Sequence, residues 1–395
     1  MIHRLLATIA LAALPATAHA ATRPALIDPT MRPKLVAYHK DICDWAMTLD
    51  VGSGMLKKTR DTRWSIFING NLARVLMAGS VLHDNSAYLK EALRWADTFC
   101  KQQQAVETPG GEAAGYWGDR GSTGNIYFGD AGTAATAFAL LYHHAPKATQ
   151  PEYLAAMQRY ATFVTKGTAE PPARRGKLGC KGWLIASGAD RGALGCGYYR
   201  GHLSTKPYTI ATATTGGAFF ATLHRITRNP AHLRVASGAV NWLLKSRKPT
   251  GEIPYTLDGK LRTSWPLDTM TYCSEAFLGL HAATDNAVLR KSLVRRCKPS
   301  VDWLVQTQNA DGSWGRLRSA DQQRSPSVVS LLAWYHHHAG GDPKVAEAVR
   351  KYCAYLLDPA NSTSYGVKSL VRTTGFVGLA IAEVLRPGVT FDALP

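Results

Sequence analysis

Apolar positions recur along this chain in two alternating styles. In the first, apolar residues return every three or four positions on an otherwise charged segment, as in Tyr88-Leu89-x3-Leu93-x-Trp95-Ala96-x2-Phe99. That spacing predicts an amphipathic helix with one buried stripe. Segments of this kind run from Pro33 to Thr48, Ser86 to Gln104, Pro151 to Lys166, Ala231 to Lys245, Leu289 to Gln308 and Pro343 to Leu357. The second style is apolar nearly all round and rich in Ala, Gly, Ser and Thr. It covers Ser65 to His83, Asp130 to His144, Thr209 to Ile226, Asp268 to Ala283, Ser325 to His338 and Arg372 to Leu385. Such segments are poor isolated helices, yet they suit packing on every side. They are too long and too Ala-rich for buried strands. The alternation predicts an all-α fold of about six helical hairpins, with the second type as an inner ring and the first as an outer ring.

The links between segments are unequal. From inner to outer helix they are short, as in His83-Asp84-Asn85-Ser86 or Ala339-Gly340-Gly341-Asp342-Pro343; from outer to inner they are generally long, up to the stretch from Gly167 to Tyr208. Insertions in repeat folds gather on one face, usually the binding face. Function is therefore expected where inner helices begin. His83, His143, His144, His224, His281 and the run His336-His337-His338 fall near inner-helix ends, on the opposite face. There imidazoles serve the last carbonyls and the helix dipole, a reading preferred over a metal site at the triple His.

The first residues combine Arg4, an apolar stretch from Leu5 to Leu14 and Ala18-His19-Ala20. This predicts a cleaved signal peptide over residues 1–20, leaving 21–395 as a single domain in the periplasm or outside the cell. No later segment is apolar for long enough to be an integral membrane segment. Lys+Arg 46 against Asp+Glu 28 gives a net charge of +18. The excess favours an anionic partner, and after export that means acidic or sulfated polysaccharide, wall polymer or membrane surface rather than nucleic acid. A solvated surface with no partner is the plainer alternative. Oligomeric state is not indicated. Seven cysteines leave at least one unpaired. Cys180 with Cys196, and Cys273 with Cys297, are candidate disulfides. An oxidising compartment favours the first pair over a zinc site with His202.

The outer-helix ending Gln308-x2-Asp311-Gly312-Ser313-Trp314 resembles the QW repeat of terpenoid cyclases. The paired helices as a whole resemble the alpha/alpha toroids, which include six-hairpin glycosidases and polysaccharide lyases. The resemblance implies an (α/α)6 toroid with a cleft at the inner-helix N-termini. The chain departs from the cyclases and from the toroid mannanases in having no two adjacent Asp residues. The carbohydrate enzymes are the better match to an exported basic protein.

Glycoside hydrolysis needs two carboxyls flanking the bond. Asp130 and Asp268 open the second and fourth inner helices, where each is also a natural N-cap. Glu275 lies two turns beyond Asp268 on the same helix face, as a general acid or as half of a buried ion pair. Candidate binding groups on the long-link face are Trp64, Trp117, Tyr127, Tyr208 and Trp265 for sugar rings, Arg63, Arg120, Arg324 and Arg372 for anionic groups, and Asn69 and Asp119 for hydroxyls and loop contacts. Asp311 reads as a turn residue. No phosphate-binding glycine loop is present, no nucleotide cofactor is indicated, and no ligand spacing requires a metal. The leading expectation is a glycoside hydrolase acting on an acidic saccharide. A lyase using Tyr127, Tyr208, Arg324 and Asn69, and a non-catalytic polysaccharide binder, are the alternatives.

Overall fold

The small residues of the second segment type let inner helices approach until their backbones nearly touch. A Cβ added to Gly132 would lie 2.3 Å from Thr215 Oγ1 and 2.4 Å from the Thr215 nitrogen, so only glycine fits there. The computed structural model describes residues 25–49, 66–118, 125–169, 181–199, 202–262, 265–315, 326–361 and 371–392, the last segment without the side chains of 371, 372 and 392. The outer helices are α1 (Met31–Met47), α3 (Ser86–Lys101), α5 (Gln150–Lys166), α7 (Pro230–Lys245), α9 (Ala287–Thr307) and α11 (Pro343–Leu357). The inner ones are α2 (Ile66–Leu82), α4 (Phe128–Leu141), α6 (Thr209–Thr227), α8 (Pro266–Ala283), α10 (Val328–His338) and α12 (Val371–Leu385). A last turn, α13 (Val389–Asp392), follows.

Each inner helix touches the next, α2 to α4 to α6 to α8 to α10 to α12, and α12 returns to α2. The ring is closed. α1 seals the seam by packing on α2, α11 and α12. This is the all-α six-hairpin toroid that the alternation predicts. Burial follows the two styles: every residue from Ile66 to Gly79 of α2 is buried, whereas the amphipathic α3 buries only Tyr88, Ala92, Trp95, Ala96, Phe99 and Cys100.

The short links start outer helices by side-chain capping. Asn85, Asn229, Asn286 and Asp342 each accept a hydrogen bond from a backbone N–H two residues on, at 3.1, 2.9, 2.9 and 2.9 Å. Within α6 the stretch Thr212–Phe219 widens into π turns. There Thr212 and Thr214 donate back to the carbonyls of Tyr208 and Ile210, the competition with the helix ladder expected of threonine.

The long links hold three small antiparallel sheets that periodicity did not reveal. β1 (Gln104–Glu107) pairs with β2 (Ala113–Tyr116), so the helix expected to reach Gln104 stops at Lys101. β3 (Ile126–Tyr127), β4 (Gly197–Tyr199) and β5 (His202–Ser204) form one sheet, and β6 (Tyr255–Leu257) pairs with β7 (Lys260–Arg262). The last hairpin turns on Asp258 and Gly259, both with positive φ (55° and 71°), the backbone a two-residue turn of this kind requires.

The outer-helix ending works as a structural clasp. Trp314 donates its indole N–H to the Leu304 carbonyl at 2.8 Å, and Gln308 reaches the Gly312 and Ala348 carbonyls. Asp311 accepts from Ser313, the turn role expected of it. Trp117 repeats the device at the end of α3, donating to the Phe99 carbonyl at 2.8 Å while stacked on the Phe99 ring at 4.4 Å. Its expected place among sugar-binding aromatics is therefore corrected: it is 1% exposed and clamps α3.

The cysteine expectations also change. Cys273 and Cys297 are neighbours across α8 and α9, but both are buried free thiols. Burial pushes Cys273 up and Cys297 up to about 12, which disfavours the thiolate at both. Cys196 is likewise a buried free thiol, and its expected partner Cys180 lies outside the described residues. The expected signal peptide also lies outside them.

Candidate functional site

At the inner-helix starts, the three-stranded sheet joins the entrances of α4 and α6. β3 runs directly into α4, with the Phe128 N–H donating to the Cys196 carbonyl at 2.9 Å, and the Tyr208 N–H donates to the Leu194 carbonyl at 2.8 Å. This brings together two residues 81 positions apart: the hydroxyls of Tyr127 and Tyr208 are hydrogen-bonded, with ring centroids 5.2 Å apart. Tyr208 next meets Tyr255 at 5.8 Å, and Tyr255 meets Trp265 at 5.9 Å. Four aromatic rings thus run in a strip from the start of α4, past α6, to the start of α8. The two in the middle, Tyr208 and Tyr255, are buried, so the expected place of Tyr208 among sugar-facing rings is corrected to one that supports its neighbours.

Asp268 lies in the first turn of α8 and is 3% exposed. Its charge acts on Tyr208, whose hydroxyl is held well above the usual phenol range by burial first and then by Tyr255, Tyr272 and Asp268. Asp130 lies in the first turn of α4, half-buried, and acts electrostatically on Cys196. Neither occupies its helix's cap position, which is held by Tyr127 in α4 and by Trp265 in α8. Trp265 stands 38% exposed at the end of the strip, with φ 64° and ψ 49°. A left-handed backbone is costly for a bulky residue, and strain of this kind gathers at functional sites.

Two residues of this face escape a reading of the sequence alone. Tyr255 completes the strip, and Arg262 sits opposite it across the β6–β7 hairpin. Opposed residues in an antiparallel pair share one side of the ribbon. Arg262, Lys260 and Lys206 are all exposed there. The signal was the Asp258-Gly259 turn, which defines the hairpin and hence its pairing.

Glu275 takes the ion-pair alternative. Arg74 of α2 reaches across the ring to its Oε1 at 2.5 Å, with the two side chains 2% and 7% exposed. The Arg74 guanidinium also lies 4.9 Å from the Phe391 ring centre, on the turn α13. A void of about 10 Å³ beside them, room for a single water, is lined by Thr271, Ser274, Ser327 and Ser330 among others. Glu275 is thereby tied into the closed middle of the ring rather than the aromatic mouth. Asn69, in the first turn of α2, is buried at 4% exposure. Arg63, Trp64, Asp119, Arg120 and Arg324, and the side chain of Arg372, lie outside the described residues.

No protein-family model matches the sequence, and no curated protein matches it. Solved structures do. The α-1,6-mannanase GH76A of Salegentibacter sp. HEL1_6 aligns over 89% of this chain and 98% of its own, with 11% identity and a TM-score of 0.60. A glycosyl hydrolase of family 88 from Bacteroides vulgatus aligns over 90% and 99%, at 14% identity and TM-score 0.61. A polysaccharide lyase aligns over 90% and 97%, at 13% identity and TM-score 0.60. At these identities the likeness is one of fold, and it places the chain among the six-hairpin alpha/alpha toroids.

Proposed function

We propose that this protein is a carbohydrate-active enzyme, a glycoside hydrolase that cleaves an acidic oligo- or polysaccharide at the inner-helix starts. The observation that carries the reading is the exposed Trp265 and the half-buried Tyr127 at the two ends of the strip, backed by the buried rings of Tyr208 and Tyr255 and with Asp268 beside them. Flat rings match the apolar faces of sugars, and carboxyl groups match the chemistry. Asp130 and Asp268 are the proposed pair, one protonating the leaving oxygen and the other serving as base or nucleophile. Arg262, Lys260 and Lys206 supply positive charge for a uronate or sulfate. The net charge of +18 supports the same substrate class, and the apolar stretch after Arg4 supports export. No helix among the described residues is long and apolar enough to cross a membrane.

The mannanase among the structural neighbours is inactivated in its solved variants by replacing two consecutive aspartates. This chain has no two adjacent Asp residues, so any hydrolysis rests on a different pair. A second reading, elimination by a lyase, is favoured by one observation, the half-buried Tyr127 whose hydroxyl is hydrogen-bonded to that of the buried Tyr208, since a tyrosine hydroxyl can move the proton that elimination requires. A panel of uronic and sulfated glycans separates the two. New reducing ends without ultraviolet gain support hydrolysis; absorbance from a new double bond overturns it in favour of elimination. Activity that survives both Asp130→Asn and Asp268→Asn contradicts the assigned carboxyls.

A further inference from the structure

The most chemically distinctive cluster outside this face lies at the seam of the ring, at the opposite end of the inner helices. α1 carries His39 and Cys43 four residues apart on its buried side, and His83 follows the last turn of α2. His39 Nδ1 is 2.9 Å from His83 Nε2 and 3.6 Å from Cys43 Sγ. One donor atom from each residue lies within 4.8 Å of the other two. We propose that His39, Cys43 and His83 form a metal site for one borderline d-block cation of the Zn²⁺ class.

Three observations support this beyond proximity. Bonds of about 2.0 Å to nitrogen and 2.3 Å to sulfur place tetrahedral ligands roughly 3.3 to 3.6 Å apart, so the imidazoles separate by a few tenths of an ångström, His39 and Cys43 already fit, and Cys43 and His83 close up from within 4.8 Å. The donor set is two nitrogens and a sulfur, a borderline combination that selects zinc or copper over magnesium or calcium. His39 and Cys43 are fully buried while His83 is partly exposed, which leaves the fourth position to a water.

Binding requires two proton movements. The Cys43 thiol, which points toward the Val75 carbonyl at 3.8 Å, releases its proton to solvent as the sulfur bonds the cation. The proton shared between His39 and His83 shifts so that each ring carries hydrogen on the nitrogen away from the metal. Lys40 and Asp44, paired at 2.6 Å, both act on His83, the Lys40 charge more strongly than the Asp44 charge, so the ion's charge is balanced chiefly by the Cys43 thiolate. Because α1 packs on α2, α11 and α12, a cation here would fasten the first hairpin at the point where the ring closes.

The test uses chelator-treated protein titrated with Co²⁺ and then Zn²⁺. Expected are one equivalent of Co²⁺ with a thiolate-to-metal charge-transfer band, its displacement by Zn²⁺, and a higher Tm with Zn²⁺. Cys43→Ser should abolish the band. His83→Gln, at a half-exposed position that folding tolerates, should weaken binding by more than the roughly hundredfold upper loss for an outer-shell partner. The double substitution His337→Gln and His338→Gln should change neither. Absence of the band in the unsubstituted protein, unchanged Co²⁺ affinity in His83→Gln, or loss of the band in the His337/His338 variant overturns the proposal.

Discussion

The two ends of the toroid use similar polar residues for opposite purposes. At the end where inner helices finish, apart from the His39–Cys43–His83 cluster, polar groups such as His224, His281 and Glu383 are engaged by the protein itself. His224 Nδ1 meets the Asn229 carbonyl at 2.9 Å, and His281 packs against Trp334 and His338 with ring centres 5.2 and 4.1 Å away. Glu383 accepts from the Gly388 and Thr390 N–H groups at 2.6 and 2.9 Å. At the end where inner helices begin, links are long, Trp265 is held in a strained backbone, and basic residues stand exposed on a hairpin. The comparison teaches that closing the ring requires only the short links and their caps. Chain length beyond that need is concentrated at one end, and the proposed chemistry is placed there.

The contrast is broken most severely at Asp268. Asp268→Asn should lower turnover of an acidic glycan by roughly 10²- to 10⁴-fold, the range for loss of a general acid or base, with Tm little changed. Arg74→Leu acts on the closed middle instead. It strands the Glu275 carboxylate and should cost about 3–5 kcal/mol in denaturant melts, and the double variant with Glu275→Leu should recover most of that loss. Two tryptophans sharpen the same division. Trp117→Ala should cost about 3–5 kcal/mol of stability. Trp265→Ala should leave stability within about 0.5 kcal/mol yet weaken glycan binding by roughly two- to tenfold.

Those two tryptophans also mark how far the sequence could be read. Helix type, order and ring position followed from periodicity because inner and outer helices bury different fractions of their surface, and α1 to α12 all appear where the pattern places them. Trp117 and Trp265 both sit in Gly-rich links between helices. What separates them is the carbonyl at the end of α3, a contact that no local pattern encodes. The comparison with Trp314, which follows an outer helix in the same way, was the available clue. Asp130 and Asp268 were legible as inner-helix openers. The Tyr127–Tyr208 couple was not, because it depends on pairing between β3 and β4 across a long link. Glu275 was left open by its sequence position, since the partner that decides its role is 201 residues away.

The histidine-bearing end adds an effect that appears only on acidification. Burial lowers His281 from 6.5 to about 4. The unfolded chain therefore takes up a proton first as pH falls below about 6.5, so stability from this group is full above that value and is lost on acidification toward 4. The loss is on the order of 3 kcal/mol. Thermal melts from pH 7 to 4 should show it, and His281→Gln should flatten the slope over that window.

Saccharide is proposed to bind where the inner helices begin. Hydrogen exchange of the Asp268→Asn variant, with and without an acidic oligosaccharide that the unsubstituted protein cleaves, tests it most directly. The account predicts new protection in residues 125–130, 207–212 and 253–268, with none at the opposite end. Protection confined to residues 83–86, 227–233, 281–289 or 336–343 would contradict it.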